Sequence, residues 1–195
     1  MTHQAPLTPR LIRLETPHYI VRTMEQGDVS DGQSDWMTDP EAVRNLNARP
    51  LRRSTEEFRA YIAGFNRTDA HLLGIFEKAT NGLVGMRAVY IDPNHSEFQV
   101  NVLIGNPRAR GKGARTESRE VVYRYFFEDM DLQFARSTVL ARNEAVISGM
   151  AKRGWIHEHT SHKPDAQAEA FVELRHYRLP RKVWREVQLH PPAPP

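Results

Sequence analysis

Val102-Leu-Ile-Gly-Asn-Pro-Arg-Ala-Arg-Gly-Lys-Gly-Ala-Arg-Thr116 decides the fold. Three apolar residues close a strand, a glycine-rich basic turn follows, and a helix opens near Ala114. A helix N-terminus presents unpaired N–H groups and the positive end of the peptide dipole, so an anion settles there. Gly111 and Gly113 let the backbone approach a phosphate closely. Arg108, Arg110, Lys112 and Arg115 add charge-assisted donors around those glycines. The alternative reading of the same charges is a solvated surface loop.

Outward from this turn the chain reads as alternating element types. Tyr19–Thr23 is a first strand. Asp39 with Pro40 starts a helix, Asp39 as N-cap and Pro40 in the first helical position. Ser54 and Glu57 form a capping box, and Phe58, Tyr61, Ile62 and Phe65 follow with helical spacing. His71–Glu77 and Leu83–Ile91 flank Asn81-Gly82, a hairpin turn signal. Asp92 to His95 makes another turn, and Glu97–Ile104 is the strand that enters the quoted loop. The helix after the loop runs to about Met130 and buries Val121, Val122, Tyr125 and Phe126. Arg136–Ala141 is a strand, Asn143 caps a helix ended by Gly154, and Phe171–Leu179 is the last strand. This order predicts an α/β fold: a mixed, largely antiparallel central sheet flanked by helices.

Composition narrows the chemistry. The chain has 195 residues, enough for one domain with a sizeable core, expected over 10–188 between disordered tails at 1–9 and 189–195. It has no cysteine, which removes disulfides, thiolate metal sites and an acyl-cysteine intermediate. No apolar run is long enough to span a bilayer and no signal-peptide layout opens the chain, so a cytoplasmic location without membrane association is expected. The net charge is only +3 and the basic loop lacks interleaved aromatics, so no nucleic-acid partner is expected. His157, His159 and His162 have no H-E-x-x-H frame. They read as exposed turn histidines, and no metal is expected. Trp36 and Trp155 read as core or cleft-wall residues.

Two familiar phosphate loops do not fit. Between Gly105 and Gly111 there is one residue too many for a Walker A loop, and Gly113 stands where its Ser or Thr would be. Gly111-Lys-Gly113-Ala-Arg-Thr116 lacks the third glycine of a dinucleotide fingerprint and lies late in the chain. A third pattern, [Q/R]-x-x-G-x-[G/A], is met by Arg108, Gly111 and Gly113. It resembles the coenzyme A pyrophosphate loop of the GNAT N-acetyltransferase superfamily, and Ile104 to Ala114 is similar to that loop in its ribosomal-protein alanine acetyltransferase branch. Asn143-Glu-Ala-Val-Ile-Ser-Gly-Met-Ala-Lys-Arg-Gly-Trp155 resembles the branch's later helix. Tyr177, Leu179 and Trp184 resemble its closing strand end.

The resemblance implies the GNAT fold and acetyl transfer from acetyl-CoA to a primary amine, on a protein N-terminus or a small molecule. Transfer would be direct, in a ternary complex. It also implies roles for individual residues. Leu103 and Ile104 would give backbone contacts to pantetheine. Arg108, Ala109, Arg110, Gly111, Lys112, Gly113 and Ala114 would hold the pyrophosphate. Asn143 would hydrogen-bond the pantetheine arm, beside its plain reading as a helix cap. Dimerisation is common in the family. Two catalytic positions depart from the pattern, Gln99 in the place of a frequent Glu base and Met150 in that of a frequent Tyr acid, and Val146 stands where the branch usually has Ser. Glu97, two residues before Gln99 and on the same strand face, becomes the candidate base, against its reading as an exposed hairpin carboxylate. The same departures leave a non-catalytic acyl-CoA-binding or regulatory domain as the alternative.

Overall fold

A computed structural model describes residues 7–33, 35–43, 46–92, 96–166, 168 and 170–189. The strands are β1 (Arg13–Glu15), β2 (Tyr19–Thr23), β3 (Ala70–Glu77), β4 (Leu83–Asp92), β5 (Glu97–Leu103), β6 (Phe134–Leu140), β7 (Ile156–Pro164) and β8 (Phe171–Pro180). They form one eight-stranded sheet in the order β1-β2-β3-β4-β5-β6-β8-β7. Every neighbouring pair is antiparallel except β5–β6. The helices are α1 (Pro40–Val43), α2 (Thr55–Ala63), α3 (Ala114–Arg124), α4 (Glu144–Ala151) and α5 (Arg181–Leu189). The mixed, mostly antiparallel architecture read from the sequence is the one observed.

Side-chain alternation along the strands sorts two cores onto the two faces. On one face, Val122, Phe126 and Phe127 from the α3 segment pack with Val89, Phe98, Ala135, Leu179 and the α5 residue Trp184. Met150 of α4 packs on the same side with Val139 and Tyr177. On the other face, Phe58 and Ile62 of α2 pack with Trp36, Leu72, Ala88 and Leu103. The capping box at α2 is formed: Ser54 Oγ accepts from the Glu57 amide, and the Ser54 amide donates to the Glu57 carboxylate at 2.7 Å. The β3–β4 hairpin forms at the expected place, but through a loop from Lys78 to Gly82 rather than a two-residue Asn-Gly turn: the Thr80 amide donates to the Glu77 carbonyl, and Asn81 alone takes a left-handed φ, 54°.

Several expectations change. After Arg124 the third helix continues as a π-helical turn, Tyr125–Asp129. That shift places consecutive Phe126 and Phe127 in the core, while Val121 and Tyr125 are only partly buried. Trp184 belongs to α5 rather than to a strand end, and Val183, Trp184 and Val187 form that helix's apolar side. The helix ends at Leu189, inside the segment expected to be a tail; 1–6 and 190–195 lie outside the described residues, as does the expected turn at 93–95. Leu7 packs against the core. Asn143 sits at the N-cap of α4, but its side chain makes no capping hydrogen bond. His157, His159 and His162 lie on strand β7 and not in a turn, exposed to solvent.

Candidate functional site

The sheet opens between β5 and β6. These strands pair only over Glu97–Phe134, Phe98–Ala135 and Gln99–Arg136. Beyond Gln99, β5 stays paired with β4 through Leu103 and β6 stays paired with β8 through Leu140. The facing edges, 100–103 and 137–140, therefore have no strand between them, and backbone donors and acceptors on both sides look into the opening. Gly85 permits the end of this arrangement. A Cβ there would lie 2.6 Å from the Leu103 carbonyl oxygen.

At the wide end of the opening lies the glycine loop. Leu103, Ile104, Ala109, Arg110, Gly111, Gly113, Ala114, Arg115 and Thr116 line a cavity of 500 Å³. Gly111 and Gly113 have left-handed φ values of 72° and 84°, and Gly113 is the N-cap of α3. Three ties fix this loop. The Tyr19 hydroxyl donates to the Lys112 carbonyl at 2.9 Å. Glu117 in the first turn of α3 accepts from the Thr16 hydroxyl at 2.7 Å and the His18 amide at 3.1 Å. Those donors hold its carboxyl below the ordinary range, against the opposing effect of burial. Arg110 is ion-paired with Asp39 at the start of α1. Arg108 is exposed, and neither Arg108 nor Lys112 pairs with a carboxylate among the described residues. Of the residues expected from the sequence around this loop, Leu103, Ile104, Ala109, Arg110, Gly111, Gly113 and Ala114 line the cavity, whereas Arg108 and Lys112 are not among its lining residues. Asn143, partly buried, is the N-cap of α4 just after β6; its backbone N–H donates to the Leu140 carbonyl at 2.9 Å, while its side-chain amide forms no hydrogen bond among the described residues.

Behind the loop, positive charge accumulates. Arg87 of β4 is 3% exposed and donates to Ser118 Oγ at 2.9 Å and to the Arg115 carbonyl at 2.5 Å. Burial, together with Arg119 and Arg115, lowers it to about 9, against the opposing pull of Tyr123 and Glu120. It remains a cation at neutral pH. Burial and Arg119 also lower Arg115 and Arg153. Thr116, Arg119, Arg153, Trp155 and Trp184 line a cavity of 330 Å³, which shares Thr116 with the loop cavity. Arg119 and Arg153 are the guanidinium groups lining this cavity; Glu120, also in its lining, is ion-paired with Arg119.

On the α2 side of the opening is a cavity of 360 Å³. Its apolar wall includes Met37, Leu72, Met86 and Leu174, and its polar groups are Asn47, Tyr61, Gln99, Asn101, Thr138 and Lys163. Gln99 also lines a neighbouring hollow of 430 Å³ with Asp92, Glu97 and Arg136. The segment after α1 closes over this side. Asn47 Nδ2 donates to the Pro164 carbonyl at 3.3 Å, and Arg49 Nε to the Ala166 carbonyl at 2.8 Å.

Glu97 lies at the narrow end, on the same face as Gln99. Glu97 is 5% exposed, and its carboxylate is held by Arg136 and by Arg178, whose Nη2 donates at 2.7 Å. Arg178 also stacks over Phe134 at 3.4 Å. The side chain is thus no exposed hairpin carboxylate, and its lone pairs are occupied by guanidinium donors. Glu97→Ala is expected to destabilise the fold by about 1–3 kcal/mol, measured by urea unfolding. That is below the range for a fully buried pair because both arginines still reach water. Acetyl-CoA affinity is expected to stay unchanged. Met150 is buried, and Ser148 faces solvent. Among the described residues no three His, Cys, Asp or Glu side chains gather as a metal site, and no helix is long and apolar enough to cross a membrane.

Residues 18–156 match the family described as "Acetyltransferase (GNAT) domain". No curated protein sequence matches the chain. Among solved structures, the chain resembles a GCN5-related N-acetyltransferase from Brucella melitensis with TM-score 0.76 and 13% identity, over 97% of this chain and 88% of that one. It resembles spermidine N-acetyltransferase from Vibrio cholerae, solved with CoA and spermine, with TM-score 0.74 and 14% identity over 87% and 99%. It also resembles ribosomal-protein-S5-alanine acetyltransferase from Vibrio fischeri, with TM-score 0.68 and 16% identity over 89% and 98%. At these identities the likeness is one of fold.

Proposed function

The chain belongs to the GNAT acetyltransferase family, and on that premise we propose that it moves the acetyl group of acetyl-CoA directly to a primary amine held in the cavity of 360 Å³. The observation that carries this reading is the separation of β5 from β6 beyond Gln99, which ends at the glycine loop. An extended pantetheine chain fits such a gap by pairing with the backbone edges of 100–104. The pyrophosphate then meets the loop amides and the basic groups of residues 108–114, and the side-chain amide of Asn143 reaches the pantetheine arm. Because the chain has no cysteine, the amine attacks the thioester in a ternary complex without an acyl-cysteine intermediate.

Lys163 is the one charged group among the described residues lining the acceptor cavity. That lining suits the amine of a small uncharged or carboxylate-bearing molecule, or a small N-terminal residue of a protein such as alanine. It suits a polyamine poorly, since a polycation needs carboxylates. Glu97 is assigned to anchoring the narrow end of the gap and not to proton transfer. Thiol release from acetyl-CoA with an alanyl peptide, an amino sugar and spermidine tests the reading. Turnover is expected with one of the first two. Acetyl-CoA binding without turnover on any amine would leave only an acyl-CoA-binding role.

The arginines behind the loop are assigned to the remaining phosphate of coenzyme A. Arg119→Gln is expected to weaken acetyl-CoA binding by about tenfold, corresponding to one charge-assisted contact. Removing the 3′-phosphate from the ligand is expected to produce a similar loss, and the two losses are not expected to add. Calorimetry with acetyl-CoA and its dephospho form measures both.

A further inference from the structure

An amine nucleophile must shed a proton as it attacks, yet Gln99 and Met150 accept none and Glu97 is engaged by two guanidinium groups. We propose that His176, acting through the hydroxyl of Thr138, draws that proton from the acceptor amine. The proposal rests on the transferase reading above.

The strand register builds the relay. Thr138 of β6 is the direct partner of His176 of β8, so both side chains stand on the acceptor face. Thr138 lines the acceptor cavity with Gln99 and Asn101, where β5 and β6 have separated. The imidazole is fixed at both nitrogens. Nδ1 lies 3.2 Å from Thr138 Oγ1, and Nε2 lies 2.7 Å from Ser161 Oγ. With Nε2–H donating to Ser161, Nδ1 is left to accept from Thr138. His159, the cross-strand partner of His176, stacks on the ring at 4.2 Å with planes 7° apart. Such packing holds the ring in one orientation.

The surroundings keep the ring unprotonated. Burial, then His159 and Arg136, hold His176 below the ordinary histidine range; Glu158 opposes them and His157 adds to them. These groups come from β6 and β7, and Arg178 lies two residues along the same strand. At neutral pH His176 is therefore the free base a relay requires.

In the step, the amine nitrogen forms a bond to the thioester carbonyl carbon and passes its N–H proton to Thr138 Oγ. The Thr138 hydroxyl proton moves to His176 Nδ1, giving an imidazolium. The C–S bond breaks and its electron pair leaves on sulfur. The thiolate then recovers one proton, from the imidazolium or from water, so that the products are an amide and a thiol.

The test follows thiol release from acetyl-CoA with the amines named above, across pH, in four variants. His176→Asn keeps a hydrogen-bonding group toward Thr138, and His176→Gln keeps one toward Ser161; neither titrates. Both are expected to lower kcat by about a hundredfold. KM for acetyl-CoA should be unchanged, and the acidic limb of the kcat/KM profile should disappear. Thr138→Val is expected to do the same, while Thr138→Ser retains activity. A His176→Asn enzyme with wild-type kcat and an unaltered acidic limb would overturn the relay and leave the transferase standing. A wild-type protein that binds acetyl-CoA yet turns over none of the amines would overturn both.

Discussion

Gly105→Ala is expected to destabilise the protein by about 2–4 kcal/mol, a drop in Tm of roughly 5–15 °C for a domain of this size. A Cβ at residue 105 would lie 1.9 Å from Cδ2 of Trp36, inside the indole itself. Trp36 is buried against the cluster that holds Phe58, Leu72 and Leu103, so it has no room to retreat. Either the indole leaves the core or the backbone of β5 moves where it turns into the loop. The Trp36→Ala variant separates this from a general intolerance. Alone it loses an indole's burial, about 3–5 kcal/mol. In its background Gly105→Ala should have almost no further effect, because the obstructing ring is gone. Additive losses in thermal unfolding would show that the contact does not set the position of Gly105. Trp36 also precedes Met37 and Asp39, which line the acceptor cavity and pair with Arg110, so Gly105→Ala should raise KM for both substrates.

The second large effect concerns cofactor affinity. Gly113→Val is expected to weaken acetyl-CoA binding by at least about tenfold. Gly113 holds φ at 84°, where a branched side chain is strained by about 1–2 kcal/mol, and its Cβ would lie 3.1 Å from the Glu117 carboxylate. Relief comes by rotating the peptide away from the left-handed region, which turns the loop amides out of the cavity. Gly111→Ala meets open space, so it carries only the backbone strain and a smaller loss of affinity. Calorimetry measures binding, and far-UV circular dichroism checks that the fold persists. Wild-type affinity in Gly113→Val would mean that the loop amides do not contact the ligand.

Much of this architecture is legible in the residues because local signals agree with tertiary demand. The Ser54–Glu57 box satisfies its own backbone groups, Asn81 takes the left-handed φ that its place between β3 and β4 requires, and Gly111 and Gly113 supply the left-handed φ of the loop before α3. Elements whose residues carry no periodicity are missed. Strand β7, Ile-His-Glu-His-Thr-Ser-His-Lys-Pro, shows no apolar alternation because almost all of it faces solvent at the sheet edge, and its ladder to β8 alone makes it a strand. The three-residue strand β1 is too short to show a pattern. Helix α5 carries its own signal in Val183, Trp184 and Val187, which the likeness to a family strand end obscured.

The site divides the same way. Loop chemistry is written in contiguous glycines and arginines, and the cavity gathers Arg110, Gly111, Gly113 and Arg115 of them. The side proposed for the acceptor is assembled across strands: Asn101 and Thr138 line one cavity, and His176 is the cross-strand partner of Thr138, though all three are distant in sequence. One signal was available. Counting in twos from buried Leu174 puts His176 and Arg178 on the same face as Thr138 and Arg136. No single residue discloses the burial of Glu97 between arginines, because Arg136 and Arg178 come from two other strands.

A crystal structure of the protein with acetyl-CoA tests the central claim most directly. The expected result is an extended pantetheine arm lying between residues 100–104 and 137–140, with the pyrophosphate against the amides of Gly111 and Gly113 and the thioester beside Thr138. A gap that stays empty, with the cofactor bound elsewhere on the molecule, would contradict it.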